Sequence, residues 1–244
     1  MEKTRCFYRF CPTLTLRSES HSSVGTCAMT NVKNKSKTVI TDQEIEAMHQ
    51  KAESLSEFFK LRARATLAFL ETGKRRSEIA SLEKKDISID DMFLYVQFTV
   101  VKKRKKNLRT LQRTKKFLRT SKWATMIQDY LAYLDRKYPA CNFVYPRAHS
   151  LFGEAYLIDE SKHADGQQIW RIIKTLNPND WPHQHRERRA VKVIRSAEAK
   201  RGQADLNTVY QVRDVLDLER ETTAYNYIRR FQTQRVEEEE EPIV

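Results

Sequence analysis

The most restrictive feature of this 244-residue sequence is a change in the spacing of its apolar residues. Between Leu55 and Leu70 they recur every three to four positions, which predicts a helix with one apolar face. From Phe93 to Val101 aromatic and β-branched residues alternate, which predicts a strand. Helical spacing then returns for the rest of the chain. We therefore expect a mainly α fold with a small antiparallel β-sheet.

Capping and stop signals predict where the helices begin and end. Thr41-Asp42-Gln43-Glu44 has the form of a capping box, so a helix is expected to follow through Met48. Thr72-Gly73 should end the next helix, because glycine can take the left-handed conformation that closes a helix. Ser77 is expected to cap a third helix from Glu78 to Lys84. Further helices are expected over 122–134, 167–176, 188–200 and 208–230.

Positive charge is concentrated beside the expected strand. The strand runs into a basic turn at 102–107, and the chain is expected to return as a second strand near 108–114. Between Lys102 and Lys122 there are eleven Lys or Arg residues and no acidic residue. About half of this run is expected to be a solvated face that touches phosphates non-specifically at most.

The charge of the whole chain points to a polyanionic partner. The net charge is +13 at pH 7, and this value includes five consecutive acidic residues at Glu237–Glu241. Because lysine and arginine release counterions from a phosphate backbone, such a balance favours binding to nucleic acid.

Composition excludes several other classes of protein. No run of 18 or more apolar residues occurs, so no membrane partner is expected. Arg5 and Arg9 are not followed by an apolar stretch, so no secretory signal is expected. The four cysteines lack the pairing and neighbours of a zinc site, which favours free thiols in a reducing cytoplasm.

The chain divides into three parts by composition. Residues 1–36 show no sustained period and are expected to form a flexible N-terminal extension. Residues 37–232 are expected to form the functional domain. Residues 233–244 are expected to form an acidic tail, which either solubilises the protein or mimics DNA and masks a basic groove.

Three motifs, far apart in the chain, carry groups suited to attack on a phosphodiester. They are Thr72–Glu78, which contains Arg75; Trp181–Arg186; and Asn226–Arg229, which contains Tyr227. Two arginines can clamp one phosphate, because the planar guanidinium donates two parallel charge-assisted hydrogen bonds. A histidine can move a proton. A tyrosine, with an unperturbed pKa of about 10, can attack phosphorus once cations and a base assist its ionisation.

Together the motifs resemble those of the tyrosine recombinase, or phage integrase, family. Thr72-Gly73-x-Arg75-x-Ser77-Glu78 is similar to the first arginine box of the family, and Pro182-His183-x-x-Arg186 to the second. Leu216-Asp217-Leu218, followed by Thr222, Thr223 and Tyr227, resembles the segment that ends at the nucleophile. The resemblance extends from about residue 41 to 230. It implies the catalytic-domain fold of tyrosine recombinases and DNA recombination or integration, as in mobile elements, through a covalent 3′-phosphotyrosyl intermediate.

The resemblance also implies a catalytic role for each matching residue. Arg75 and Arg186 would bind the scissile phosphate, and Glu78 would orient the first of these arginines. Tyr227 would attack the phosphorus, and His183 would assist proton transfer. No metal and no cofactor are implied, because the arginines supply the charge that a metal ion supplies elsewhere.

The basic turn would provide the remaining functions. A turn lysine would protonate the leaving 5′ oxygen; Lys102 is the first choice for this role and Lys103 the second. The residues expected to contact DNA are Arg76, Lys103, Arg104, Lys105 and Lys106.

Two positions near the expected nucleophile leave alternatives open. The family usually has histidine nine residues before the tyrosine, where this chain has Leu218, although apolar or aromatic residues occur there in some relatives. Position 187, often histidine in the family, is Glu187. Tyr225 lies two residues before Tyr227 and remains an alternative nucleophile.

The resemblance finally implies partners and two competing functions. Family members act as tetramers on two DNA sites, so double-stranded DNA and self-association are the expected partners of a cytoplasmic, nucleoid-associated protein. A catalytically inactive DNA-binding remnant is one alternative, favoured by Leu218 and by the short segment before Thr41. A DNA-relaxing enzyme like the type IB topoisomerases, which share the chemistry, is the other.

Overall fold

The structure, a computed structural model, describes residues 39–102, 109–150 and 156–239. The N-terminal extension expected over 1–36 lies outside these residues, as do the turn residues Lys103, Arg104, Lys105 and Lys106. At 101–102, 109–110, 150 and 232–239 the backbone is described and the side chains are not.

Helices predominate over these ranges, and the strands form two small antiparallel sheets, which confirms the expected fold class. The elements are, in order, α1 (Asp42–Glu53), α2 (Glu57–Leu70), α3 (Arg76–Ala80), a 3-10 turn (Lys84–Asp86), β1 (Ile87–Ile89), β2 (Phe93–Lys102), β3 (Arg109–Leu118), α4 (Lys122–Lys137), β4 (Pro146–Ser150), β5 (Tyr156–His163), α5 (Gly166–Leu176), α6 (Pro182–Arg201), α7 (Leu206–Val215) and α8 (Glu221–Glu239). Within the described ranges no helix is long and apolar enough to cross a membrane.

The start of α1 confirms the predicted capping box. The Thr41 amide donates to Glu44 Oε2 at 2.7 Å, and the Glu44 amide donates to Thr41 Oγ1 at 3.2 Å. Two amides that the first helical turn leaves without partners are thereby satisfied. The helix continues to Glu53, five residues beyond the predicted Met48.

The predicted start of the third helix is wrong by two residues. This helix begins at Arg76, with Arg75 at the N-cap position, rather than at Glu78 after a Ser77 cap. The reason is that the Glu78 carboxylate reaches back to accept the Arg75 amide at 3.0 Å, which satisfies the helix start without a hydroxyl cap. The helix ends at Ala80, and Lys84 lies in the 3-10 turn.

The predicted hairpin is present and longer than expected. β2 pairs with β3 in a continuous antiparallel register from Phe93↔Leu118 to Lys102↔Arg109, and β1 adds a third strand to this sheet. The β4–β5 hairpin was not predicted, because its polar sequence lacks period-two alternation. It is held partly by α5, where the Gln168 side chain bonds both the amide and the carbonyl of Ala148, at 3.2 and 3.1 Å.

The buried apolar residues form two clusters. The larger one joins α1, α2, α4 and α5 with the face of β2, and includes Phe58, Phe69 and Tyr130. The smaller one joins α6, α7 and α8, and includes Ile194 and Leu216. The three motifs singled out in the sequence lie on elements of both clusters.

The helix expected over 208–230 is instead two helices, so this prediction is wrong. α7 ends in a Schellman motif: the amide of Leu218 donates to the Arg213 carbonyl at 2.8 Å and that of Asp217 to Asp214 at 3.4 Å. Asp217 takes a left-handed conformation, with φ of 49°, and turns the chain into α8. Glycine usually occupies this position, so its absence removed the local signal for a helix end. α8 itself extends into the acidic segment, through Glu239.

Candidate active site

Arg75 lies at the N-cap of α3, and its side chain is 48% exposed. Its Nη1 donates to Glu78 Oε1 at 2.7 Å, while its backbone amide donates to the other carboxylate oxygen of Glu78. Because Glu78 is buried, it holds the guanidinium of Arg75 from the protein side. About half of the Arg75 side chain is thereby left open to solvent.

Arg186 is buried in the first turns of α6 and contacts two distant segments through their backbone. Its Nη1 donates to the carbonyl of Gly73, and its Nη2 donates to the carbonyl of Leu216. We refer to this pair of contacts as the carbonyl clamp. It joins the first arginine motif to the segment that precedes Tyr227.

Burial and neighbouring charges shift the pKa of Arg186. Burial lowers the pKa of the guanidinium, and the positive charge of Arg75 lowers it further. Tyr227 and Glu78 act in the opposite direction, the tyrosine also through a side-chain hydrogen bond. The structure thus brings Arg75, Glu78, Arg186 and Tyr227 into one electrostatic group.

Gly73 makes the close approach of these segments possible. Its φ is 75°, a left-handed conformation that other residues adopt only with strain. A Cβ atom at this position would lie 2.8 Å from Leu216 Cδ2 and 3.2 Å from Arg189 Cγ. The glycine is therefore required both by the turn and by the packing beneath the carbonyl clamp.

The two tyrosines of α8 face different surroundings. At two residues apart they are separated by about 200° around the helix. Tyr227 is half-buried, packs on the smaller core cluster and interacts with the Arg186 guanidinium. Tyr225 is 48% exposed and lines a cleft with Leu206 and Arg229.

His183 lies in the first turn of α6 with an exposed side chain. Its Nε2 is 3.6 Å from Oε1 of Glu187, one turn further along the helix. The same Glu187 oxygen accepts a hydrogen bond from Arg230 Nη1 at 2.8 Å. Glu187 therefore links the histidine to α8. Leu218 is half-buried and packs against the smaller core cluster.

Lys102 and Arg76 are the remaining predicted residues that the structure describes, Lys102 by its backbone only. The backbone of Lys102 pairs with Arg109 at the end of the hairpin, and its side chain lies outside the described part of the structure. Arg76 is exposed, and its aliphatic part packs over Gly166 at the start of α5. Among the described residues no group of three or more His, Cys, Asp or Glu is placed to hold a metal ion.

A buried ion pair beside the carbonyl clamp was not predicted from the sequence. Lys74, whose side chain is fully buried, donates through Nζ to Oδ2 of Asp217. The two residues are 143 positions apart in the chain. Each lies within one of the motifs, at a position for which the sequence predicted no functional role. The only hint in the sequence is that Lys74 and Asp217 are ionisable residues directly after Gly73 and Leu216 of the motifs.

Comparison with known proteins defines the family. The model of the phage integrase family matches residues 38–211. Among curated proteins none matches the chain by sequence. The fold is similar to that of the XerH site-specific recombinase bound to palindromic difH substrate in a post-cleavage complex, with a TM-score of 0.53 and 18% identity over 86% of this chain. The pre-cleavage complex of XerH with difH gives a TM-score of 0.50 and 15% identity over 78% of this chain.

The chain spans about half the length of these solved structures, 54% of the first and 49% of the second. The family match includes both arginine motifs and ends before α8, which carries Tyr227. It nevertheless extends over well more than half of the sequence. The chain therefore belongs to the phage integrase family, that of the tyrosine recombinases.

Proposed function

We propose that the protein breaks and rejoins DNA at specific sites through a covalent 3′-phosphotyrosyl intermediate on Tyr227. In the first step the Tyr227 oxygen forms a bond to phosphorus and the bond from phosphorus to the 5′ oxygen breaks. The tyrosine loses its proton and the leaving 5′ oxygen gains one. In the second step a 5′ hydroxyl of another strand forms a bond to phosphorus and the bond from phosphorus to the Tyr227 oxygen breaks. The hydroxyl loses its proton, and the tyrosine regains one.

The observation that carries this proposal is the position of Tyr227 beside Arg186. The carbonyl clamp places this guanidinium next to Gly73, two residues before Arg75. A phosphate held by both arginines would therefore lie within reach of Tyr227. Charge-assisted hydrogen bonds to its non-bridging oxygens would stabilise the transition state, which gains charge there.

Proton transfer is assigned to two residues at the edge of this group. His183, exposed and near Glu187, is proposed to assist proton transfer at the reacting phosphate. Lys102 is proposed as the general acid for the 5′ oxygen, because the register of β2 and β3 places it at the end of the hairpin. Glu78 is proposed to orient Arg75, which it contacts twice.

Double-stranded DNA is the proposed partner, with self-association of the protein on it. The basic turn at 102–106 and Arg76 are proposed to contact phosphates, which position DNA without specifying its sequence. Recombination joins two DNA sites, so more than one copy of the chain has to act together.

Covalent capture tests the proposal. The full chain is incubated with a pool of randomised duplexes nicked near the centre, from which a short cleaved strand diffuses away and leaves the adduct trapped. We expect a protein–DNA adduct on a denaturing gel, with the DNA on the peptide that contains Tyr227 by mass spectrometry. Tyr227→Phe should abolish the adduct, whereas Tyr225→Phe, the matched control, should retain it.

The other outcomes separate the competing functions. Salt-sensitive DNA binding without any adduct would overturn the proposal and leave a DNA-binding remnant. Supercoil relaxation through the same adduct, without recombinant products, would identify a relaxing enzyme instead. An adduct on Tyr225 would keep the chemistry and correct the nucleophile.

A further inference from the structure

The buried Lys74–Asp217 pair lies directly beside the carbonyl clamp. Lys74 follows Gly73, whose carbonyl accepts Nη1 of Arg186. Asp217 follows Leu216, whose carbonyl accepts Nη2 of the same side chain. The two residues that bond each other are therefore each adjacent to a residue that holds Arg186.

We propose that Lys74 and Asp217 are positioning residues for Arg186, in that their ion pair fixes the spacing of the two carbonyls of the clamp. This inference rests on the proposed function, since Arg186 is there a phosphate ligand. In this proposal Lys74 and Asp217 act through the backbone carbonyls of the residues next to them and do not contact the DNA.

The surroundings of Asp217 show that its carboxylate is the centre of a charge cluster. Lys115 Nζ lies 3.9 Å from Oδ2, and Arg113 Nε lies 3.5 Å from Oδ1. Lys115 also donates to the carbonyl of Val215 at 3.0 Å, which attaches β3 to the same segment. Three cations, two from β3 and one from the loop between α2 and α3, thus converge on the turn between α7 and α8.

Lys74 has few other interactions that would keep its charge in place. Its side chain is fully buried, and its Nζ lies 5.0 Å from the centre of the Phe98 ring. Burial lowers the pKa of Lys74, while the hydrogen bond that it donates to Asp217 raises it. A buried charge of this kind is retained only with a close partner, so the pair constrains both segments to a single spacing.

The left-handed backbone of Asp217 fixes the direction of its side chain. A φ of 49° is costly for a residue with a side chain, and here it orients the carboxylate toward Lys74 while the chain turns toward α8. A shift of this turn would move the Leu216 carbonyl, and with it one of the two contacts that orient Arg186.

The test compares cleavage with stability in three variants of the full chain. Lys74→Met has similar length and cannot bond the carboxylate. Asp217→Asn tolerates the left-handed conformation but removes the charge. The double variant Lys74→Met/Asp217→Asn removes both charges of the pair, and Lys115 can keep its hydrogen bond to the carbonyl of Val215. Lys84→Met, which removes a lysine from the half-exposed pair with Asp135, is the matched control.

The DNA substrate is a duplex recovered by covalent capture. The measurements are the single-turnover rate of adduct formation at saturating DNA, the DNA dissociation constant and the melting temperature of the protein. We expect both single variants to cleave DNA at least about tenfold more slowly than wild type, with DNA affinity within about twofold of wild type. A loss of rate without a loss of affinity is expected when an interaction acts in the transition state. The double variant should regain much of the melting temperature that the single variants lose, but it should still cleave DNA at least about tenfold more slowly than wild type. The control should match wild type.

The double variant separates positioning from general stability, and also provides the answer if a single variant does not fold. Wild-type cleavage by Lys74→Met, or recovery of the cleavage rate together with the melting temperature in the double variant, would overturn the inference. Absence of an adduct with the wild-type chain would instead overturn the proposed function.

Discussion

Glu187 accepts a hydrogen bond from Arg230 at 2.8 Å, and this contact joins the helix of Arg186 to the helix of Tyr227. Glu187 directly follows the buried arginine in α6, and Arg230 lies one helical turn after the tyrosine in α8. The contact therefore constrains the orientation of Tyr227, the proposed nucleophile, relative to Arg186.

Replacement of Arg230 by glutamine should slow cleavage more than it destabilises the protein. The Arg230 side chain is 45% exposed and that of Glu187 9% exposed, and glutamine can still donate to this carboxylate, so loss of the ion pair should cost about 1 kcal/mol of folding free energy. A small displacement of Tyr227 from an in-line position should nevertheless lower the single-turnover rate by about fivefold. Denaturant unfolding and adduct formation measure the two effects. Lys200→Gln on α6 serves as control, and equal rates for the two variants would refute the prediction.

Alanine should be far less tolerated at Gly73 than at Gly202. Both glycines have positive φ, 75° and 78°, which should cost about 1 kcal/mol in each variant. At Gly202 nothing lies within 4 Å of the added Cβ, whereas at Gly73 it would meet the buried Leu216 at 2.8 Å. Overpacking should add about 2 kcal/mol at Gly73. Urea titration of both variants checks this, and equal losses of stability would contradict the predicted clash.

His49 should make the fold less stable as the pH falls. The ring is buried against Trp123, and among the described residues neither of its nitrogens has a hydrogen-bond partner. Burial lowers the pKa of His49, and Lys122 lowers it further. The unfolded chain, with a histidine pKa of about 6.5, therefore binds the proton more tightly than the folded one. Stability should be retained above that pH and lost below it, by at most about 1.4 kcal/mol per pH unit.

The measurement is the free energy of unfolding between pH 7.5 and 5.5 in wild type and His49→Met. The stability of wild type relative to the variant should fall toward acid pH, because the variant lacks His49 and its titration. His149→Gln, at an exposed position, should keep the wild-type slope. Parallel profiles for wild type and His49→Met would exclude His49 as the source.

A sulfur substitution in DNA should identify the general acid. Lys102→Ala should lower cleavage of ordinary DNA by about 100-fold, within the usual contribution of acid–base catalysis. A 5′-bridging sulfur leaves without a proton, so cleavage of that substrate by the variant should approach the wild-type rate. Lys103→Ala is the matched comparison. Rescue of Lys103→Ala in place of Lys102→Ala would move the role by one residue.

The parts of the fold that local sequence determines were predicted well. The capping box at Thr41 needs only residues 41–44, and the β2 strand follows from alternation within nine residues. The glycine stop after α2 is likewise a local signal. The start of α6 was predicted wrongly, at 188 instead of Pro182, although proline is common at the first position of a helix. The break between α7 and α8 was missed, because Asp217 adopts a conformation that the sequence usually marks with glycine.

The candidate site divides in the same way. Its motif residues could be named from the sequence, but their contacts join segments that are 113 positions apart in the case of Arg186 and Gly73. Lys74 and Asp217 carried no local signal, since each becomes a partner of the other only through tertiary packing. The choice of Tyr227 over Tyr225 likewise depends on which face of α8 meets Arg186.

The carbonyl clamp on Arg186 has a consequence for sequence divergence. Every residue type supplies a backbone carbonyl, so the contact at position 216 depends on the path of the chain and not on which side chain stands there. Substitutions at position 216 that preserve the Schellman turn after α7 therefore leave this hold on the arginine intact. Of the two residues whose carbonyls form the clamp, only Gly73, where φ is positive, is restricted to a particular residue. A site anchored in this way can keep its geometry while most of the surrounding sequence changes.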